Sequence, residues 1–202
     1  MNENIIAIEK NLSNVQTSIQ KKIELLKEYP SSSLFETRKG FQDIDGKISN
    51  LMLGLLLEIK LVNNNWEFFS TGIFQEYIED CKNIMNEEKM GIKEKFRKIL
   101  SILNLPEDYP VAFILGYSAT RFFENIKNFP INKEEPEIVI RVYQTIIEFD
   151  YTSENKSKIR YLDIKGFEKD TENIITLLKS QPKESLEKSW SIGNIKNITD
   201  TK

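Results

Sequence analysis

The stretch "EIVIRVYQTIIEF", residues 137–149, is the one on which the fold turns. Its β-branched side chains suit a strand. Strict alternation of apolar and polar residues fails, however, while Ile138, Val142, Ile146 and Phe149 recur at steps of three and four, with Val139 and Tyr143 alongside. That spacing predicts a helix. Its polar side carries Arg141 with Gln144, Thr145 and Glu148, and Glu137 stands four residues before the arginine.

Upstream, "VAFILGYSATRFFENIKNF", residues 111–129, reads in the same way. Arg121 falls on a polar stripe with Tyr117, Ser118, Glu124, Asn125 and Asn128, and Glu124 is its expected ion-pair partner. The opposite stripe includes Ala112, Gly116 and Ala119, small residues that let a second helix approach closely. Turned inward instead, Arg121, Glu124 and Arg141 would be the polar residues of a ligand pocket.

Residues 41–62, "FQDIDGKISNLMLGLLLEIKLV", are apolar on every side from Leu51 to Leu57, the pattern of a buried central helix. "NNN" at 63–65 is a turn, because asparagine tolerates left-handed backbone angles. Trp66, Phe68 and Phe69 either lead into the next helix or form the return strand of a small hairpin near 58–70. In residues 72–87, Ile73, Phe74, Tyr77, Ile78, Cys81, Ile84 and Met85 form a helical stripe, so Cys81 reads as a small buried hydrophobe. A basic amphipathic helix, "IKEKFRKILSILNL", follows Gly91 and stops at Pro106. Asp108 is placed to cap the helix after it. "IRYLDI", residues 159–164, is a short strand or the lead-in to a last helix at 166–179.

At the N-terminus, Ile5, Ile8, Leu12, Val15 and Ile19 follow a heptad-like rhythm that Lys22 interrupts. Residues 1–28 are therefore expected to be an amphipathic helix packed on its own domain, or a coiled-coil arm that pairs two copies. From Gln181 onward periodicity is lost, and 181–202 reads as a flexible tail in which Trp190 is the one large aromatic.

Residues 55–81, "LLLEIKLVNNNWEFFSTGIFQEYIEDC", resemble the wing and following helix of winged-helix regulators of the PadR or MarR type. The resemblance implies a transcriptional regulator built on residues 40–81, with the helix before the wing in the major groove. That helix would be "ISNLMLGLLLEI", which is apolar and has no arginine.

Composition narrows the function. The chain has 202 residues, a net charge of −3 and no histidine. Histidine-based triads and histidine-ligated metal sites are thereby excluded. Charge is even along the chain, with 14 basic and 15 acidic residues in 1–100 and 14 and 16 in the remainder, so nucleic acid is a poor partner. A single cysteine suits a reducing compartment. No apolar run approaches the roughly 20 residues of a membrane span. "DIDG", residues 43–46, would put Phe41 and Met52 at the end positions of a calcium loop, and neither binds calcium. Glu76, Glu79 and Asp80 read as a solvated face. Lysine outnumbers arginine 23 to 5, as in AT-rich genomes.

The expectation is an all-α, single-domain bundle of six or seven helices over 1–180. No catalytic residue, cofactor or metal is assigned. The function expected is that of a cytoplasmic, non-enzymatic interaction or regulatory protein of a bacterium with AT-rich DNA or of its mobile elements, of the accessory, inhibitor or immunity kind. A helical ligand sensor is the other alternative. For the interaction protein, Ile5, Ile8, Leu12, Val15, Ile19, Trp66, Phe68, Phe69 and Trp190 are the candidate contacts with a protein partner or a second copy.

Overall fold

Residues 138–150 are an extended strand at the centre of a seven-stranded antiparallel sheet, and the all-α expectation is overturned. The computed structural model describes residues 5–13, 15, 18–36, 48–124, 135–150, 156–164 and 168–181. The strands are β1 (Ile6–Leu12), β2 (Ser33–Phe35), β3 (Ile48–Val62), β4 (Asn65–Ser70), β5 (Ala112–Leu115), β6 (Ile138–Asp150) and β7 (Lys156–Asp163). The helices are α1 (Ile19–Glu28), α2 (Ile78–Asn86), α3 (Ile92–Ile102) and α4 (Glu168–Lys179), with 3-10 helices at Gly72–Tyr77 and Tyr117–Phe122.

Two long strands, β3 and β6, pair along nearly their whole length, from Ile48 opposite Asp150 to Leu61 opposite Ile138. Each takes two shorter partners on its other edge: β2 and β4 on β3, β5 and β7 on β6. β1 then pairs with β7. On β6 a gap remains between Arg141, where β5 ends, and Thr145, where β7 begins. Tyr109 fills it, its buried hydroxyl donating to the carbonyls of Tyr143 (2.9 Å) and Gln144 (2.7 Å). Buried main-chain acceptors need such a donor where no strand is alongside. The same burial pushes the Tyr109 phenol well above its ordinary pKa.

Helical spacing misled because β6 is covered on both faces over most of its length. Ile146 belongs to the core formed with Gly72–Tyr77, α2 and α3, while its neighbour Ile147 belongs to the core formed with α1 and α4. A strand buried on both faces is apolar throughout and shows no period of two. In β3 the pattern is scrambled further by a bulge. Leu53 faces Thr145 and Leu55 faces Tyr143, but Leu57 faces Val142, so Leu56 is an extra residue. A one-residue slip sends every later side chain to the other face. Leu51 and Leu53 pack toward α1 and α4, whereas Leu57, Ile59 and Leu61 pack toward α2 and α3.

The coiled-coil arm is likewise corrected. Residues 6–12 are an edge strand, and the helix begins only at Ile19, capped by the Ser18 hydroxyl. The seam residues part company: Ile5 joins the core against α2 and α3, Leu12 that against α1 and α4, and Ile19 is exposed. Lys22, the interruption in the seam, is buried with its ammonium 4.5 Å from the Phe149 ring and 2.7 Å from Glu36. A long alkyl stem serves as core once its charge is paired.

Residues 48–62 replace the central helix expected at 41–62, and residues 41–47 lie outside those described. The helix expected at 110–129 is a four-residue strand and a 3-10 helix, with 125–129 outside the described residues. Asp108 sits in a turn at φ 64° instead of capping a helix. The winged-helix likeness loses its recognition helix, since its residues form β3. Helices at 72–86, 92–102 and 168–179 stand where periodicity placed them. The tail after Gln181, with Trp190, lies outside the described residues.

Gly54 lies on β3 just before the bulge, in left-handed backbone. Its φ is +70°, and a Cβ there would lie 3.1 Å from Gln144 Oε1 and 3.2 Å from Gln144 Cβ. Gly54→Ala is expected to lower stability by about 1–3 kcal/mol through left-handed strain and crowding. Urea denaturation followed by circular dichroism measures it, and an unchanged midpoint would mean that position 54 tolerates a side chain.

Candidate functional site

Arg121 anchors the most elaborate polar arrangement at the sheet's rim. It lies in the 3-10 helix Tyr117–Phe122 and reaches back to the residue before β6. Its Nε donates to Glu137 Oε2 and its Nη2 to Glu137 Oε1, both at 2.8 Å, and Nη2 also donates to Asn64 Oδ1 at 2.6 Å. The fork of the guanidinium matches the two carboxylate oxygens, the strongest geometry for such a pair. Glu137 is fully buried, and the guanidinium also lies 4.5 Å from the Phe122 ring centroid.

The local sequence explains the meeting. Asn63 and Asn64 adopt φ of 48° and 63°, the left-handed pair that a tight turn between β3 and β4 requires. Gly116 donates its N–H to the Glu137 carbonyl at 2.8 Å, and a Cβ at Gly116 would lie 2.8 Å from the Pro136 carbonyl oxygen. Only glycine lets the two segments approach so closely. Arg121 thus pairs with Glu137 rather than with Glu124, which is exposed on the same turn.

Beside this lock runs an open groove of about 200 Å³, lined by Leu61, Asn64, Trp66, Met90, Ile92, Lys95 and Phe122. Trp66 lies on β4 opposite Leu61, and Phe68 opposite Ile59, so both pack onto the core, whereas Phe69 opposes Glu58 on the other face and is exposed. The opposite wall is the start of α3, whose Lys93, Lys95, Arg97 and Lys98 are set against the lone acid Glu94. Lys95 donates to the Met85 carbonyl, and the Lys93 ammonium lies 5.8 Å from the Phe123 ring centroid.

Arg141 belongs to a separate cluster. Its Nε donates to Glu58 Oε2 at 2.6 Å, and Nη1 lies 3.3 Å from Ser33 Oγ and 3.4 Å from Tyr143 Oη. The two hydroxyls are 2.6 Å apart. The ladder continues through Lys60 to Glu67 at 3.0 Å. Arg141 therefore pairs across strands with Glu58, which stands directly opposite it, because four residues of extended strand carry Glu137 about 13 Å away. Cys81 is fully buried, and burial, with the charge of Asp80 adding, pushes its thiol up to about 11, which leaves it a poor nucleophile.

Of the residues expected to act together, Trp66 and the Arg121 site meet at the groove, while Arg141 and Phe69 lie on other surfaces and Ile5, Ile8, Leu12 and Val15 belong to the sheet and its cores. Sequence spacing sets Glu137 beside Arg141 and not Arg121, and Met90 and Ile92 went unrecognised; the basic run of α3 beside an apolar stripe was the one signal in the sequence that pointed to that wall. No helix among the described residues is long and apolar enough to cross a membrane. No known protein family matches the chain, and no curated protein is found to be related to it.

Removing Arg121 strands a buried carboxylate. Arg121→Met is expected to cost about 3–5 kcal/mol. Adding Glu137→Gln should restore much of that loss, because the charge needing a partner is gone. Chemical denaturation of the two variants tests this, and a single-variant loss within error of zero would show that Glu137 is solvated in solution.

Proposed function

We propose that the chain is a non-enzymatic interaction protein of the cytoplasm that holds an acidic, amphipathic segment of a protein partner in the groove between the β3–β4 turn and α3. The observation that carries this reading is the chemistry of the groove. Its walls are apolar and aromatic, it is open to solvent, and the helix along one side is strongly basic. Aromatic anchors desolvated at the centre of a contact supply most of its binding energy. The lysines at the rim favour acidic partners through on-rate and orientation. The lone buried cysteine is in keeping with a reducing compartment. An accessory, inhibitor or immunity role in a bacterium with AT-rich DNA fits the composition.

Trp66 supplies its own reporter once Trp190 is replaced by Phe. In that background, a panel of acidic amphipathic peptides is expected to shift Trp66 fluorescence saturably, and charge-reversed versions of the same peptides should not. Phe122→Ala and a Lys93→Glu/Lys98→Glu double variant should each weaken binding roughly tenfold or more, the loss of about 1.4 kcal/mol. Equal binding of acidic and basic panels would sink the reading.

A further inference from the structure

We propose that β5 is a self-pairing edge through which two copies of this chain join into one continuous sheet. Among the described residues β5 has a single strand partner, β6. The hydrogen bond from Gly116 N–H to Glu137 C=O fixes the phase of their ladder. In an antiparallel pair the main-chain groups point alternately toward and away from the partner. With Gly116 turned toward β6, Ile114 and Ala112 follow it, so the N–H and C=O of Phe113 and Leu115 point away from the sheet.

The other edges are guarded. β1 carries Glu9 and Lys10, with Glu9 held by Arg160 and Lys158. β4 carries Glu67, paired with Lys60, and β2 is three residues long. Charge and brevity are the ordinary protections against edge-to-edge association. β5, "AFIL", has no charge and no proline within it, and it exposes Phe113, Ile114 and Leu115 in succession, followed by Tyr117 at 82% exposure.

A second copy fits this edge better than an arbitrary strand. A two-fold axis perpendicular to the sheet keeps each side chain on its own face, so it must pass through a residue and not between two. Passing through Ile114, it sets Phe113 opposite Leu115 of the other copy and makes four main-chain hydrogen bonds from the outward-pointing groups. Ile114 then meets its own counterpart, and each Phe113 packs against a leucine, the kind of cross-strand pair that stabilises sheets. The contact is isologous and therefore closed. Taking about 200 Å² for a large side chain, the four exposed residues offer on the order of 400 Å² per copy. That is roughly half of what a standard interface buries per partner, so the dimer is a weak one that dissociates on dilution through the micromolar range.

The register makes the test specific. Residues facing each other in a non-hydrogen-bonded antiparallel pair have Cα atoms about 4.5 Å apart, within disulfide reach. Under mild oxidation, Ile114→Cys is expected to give a covalent dimer, while wild type, whose only thiol is buried, and Phe69→Cys, at a somewhat more exposed position on β4, stay uncrosslinked. In sedimentation equilibrium, wild type should dimerise. Leu115→Pro, which deletes an outward N–H and leaves the β6 ladder intact, should raise the dissociation constant more than about tenfold. Should that variant unfold, Ile114→Lys on the exposed face gives the same reading. A wild type that is monomeric at roughly 100 µM, or Ile114→Cys crosslinking no faster than Phe69→Cys, overturns the proposal. Neither result bears on peptide binding in the Trp66 groove, so the two readings fail separately.

Discussion

The pairing of β3 with β6 is the constraint that orders everything else. These two strands supply the apolar side chains of both cores, and every other strand except β1 attaches directly to one of them. Both faces are buried over much of their length, and there their main-chain groups are satisfied by each other, the short flanking strands, Thr71 and the Tyr109 hydroxyl. In such a setting the ladder cannot open locally without exposing unpaired amides in an apolar interior. The extra residue at Leu56 then reverses the facing of β3, so that Leu51 and Leu53 before it pack toward α1 and α4, and Leu57, Ile59 and Leu61 after it toward α2 and α3.

The rim at residues 61–64 and 136–137 is where this arrangement becomes a surface. Arg121, Asn64 and Glu137 come from three segments far apart in sequence, and their hydrogen bonds hold the 3-10 helix Tyr117–Phe122 against the β3–β4 turn. That fixes Phe122 beside Trp66 and creates the groove's floor and one side. The arginine singled out by sequence is thus a clamp on a buried acid. Its consequence for binding comes through the wall it positions. β5 ends one residue before Gly116, so the close approach at Gly116 also sets which main-chain groups of β5 point outward.

Much of the periphery was legible in the sequence. The stripe from Phe74 to Met85, the basic face of α3, the Asn63–Asn64 turn, the burial of Cys81 and the last helix all follow from local spacing or local backbone preference, because each depends on residues within a few positions. The centre was not legible. In residues 137–149 the β-branched composition was the sound clue, and the steps of three and four were a by-product of a strand with no solvent-facing side. In residues 51–57 the bulge removed the remaining alternation.

The sequence by itself determined that this chain has an apolar core, no histidine chemistry, a thiol destined for burial and several amphipathic helices, since composition and short-range periodicity suffice for these. Tertiary structure alone decided that the most apolar segments are strands and which acid each arginine meets. It also decided that Trp66, Ile92 and Phe122 share one groove and that β5 presents an uncharged edge. The physical reason is that strand pairing, register and the partner of a buried charge are set by residues tens of positions away, and no local pattern carries that information.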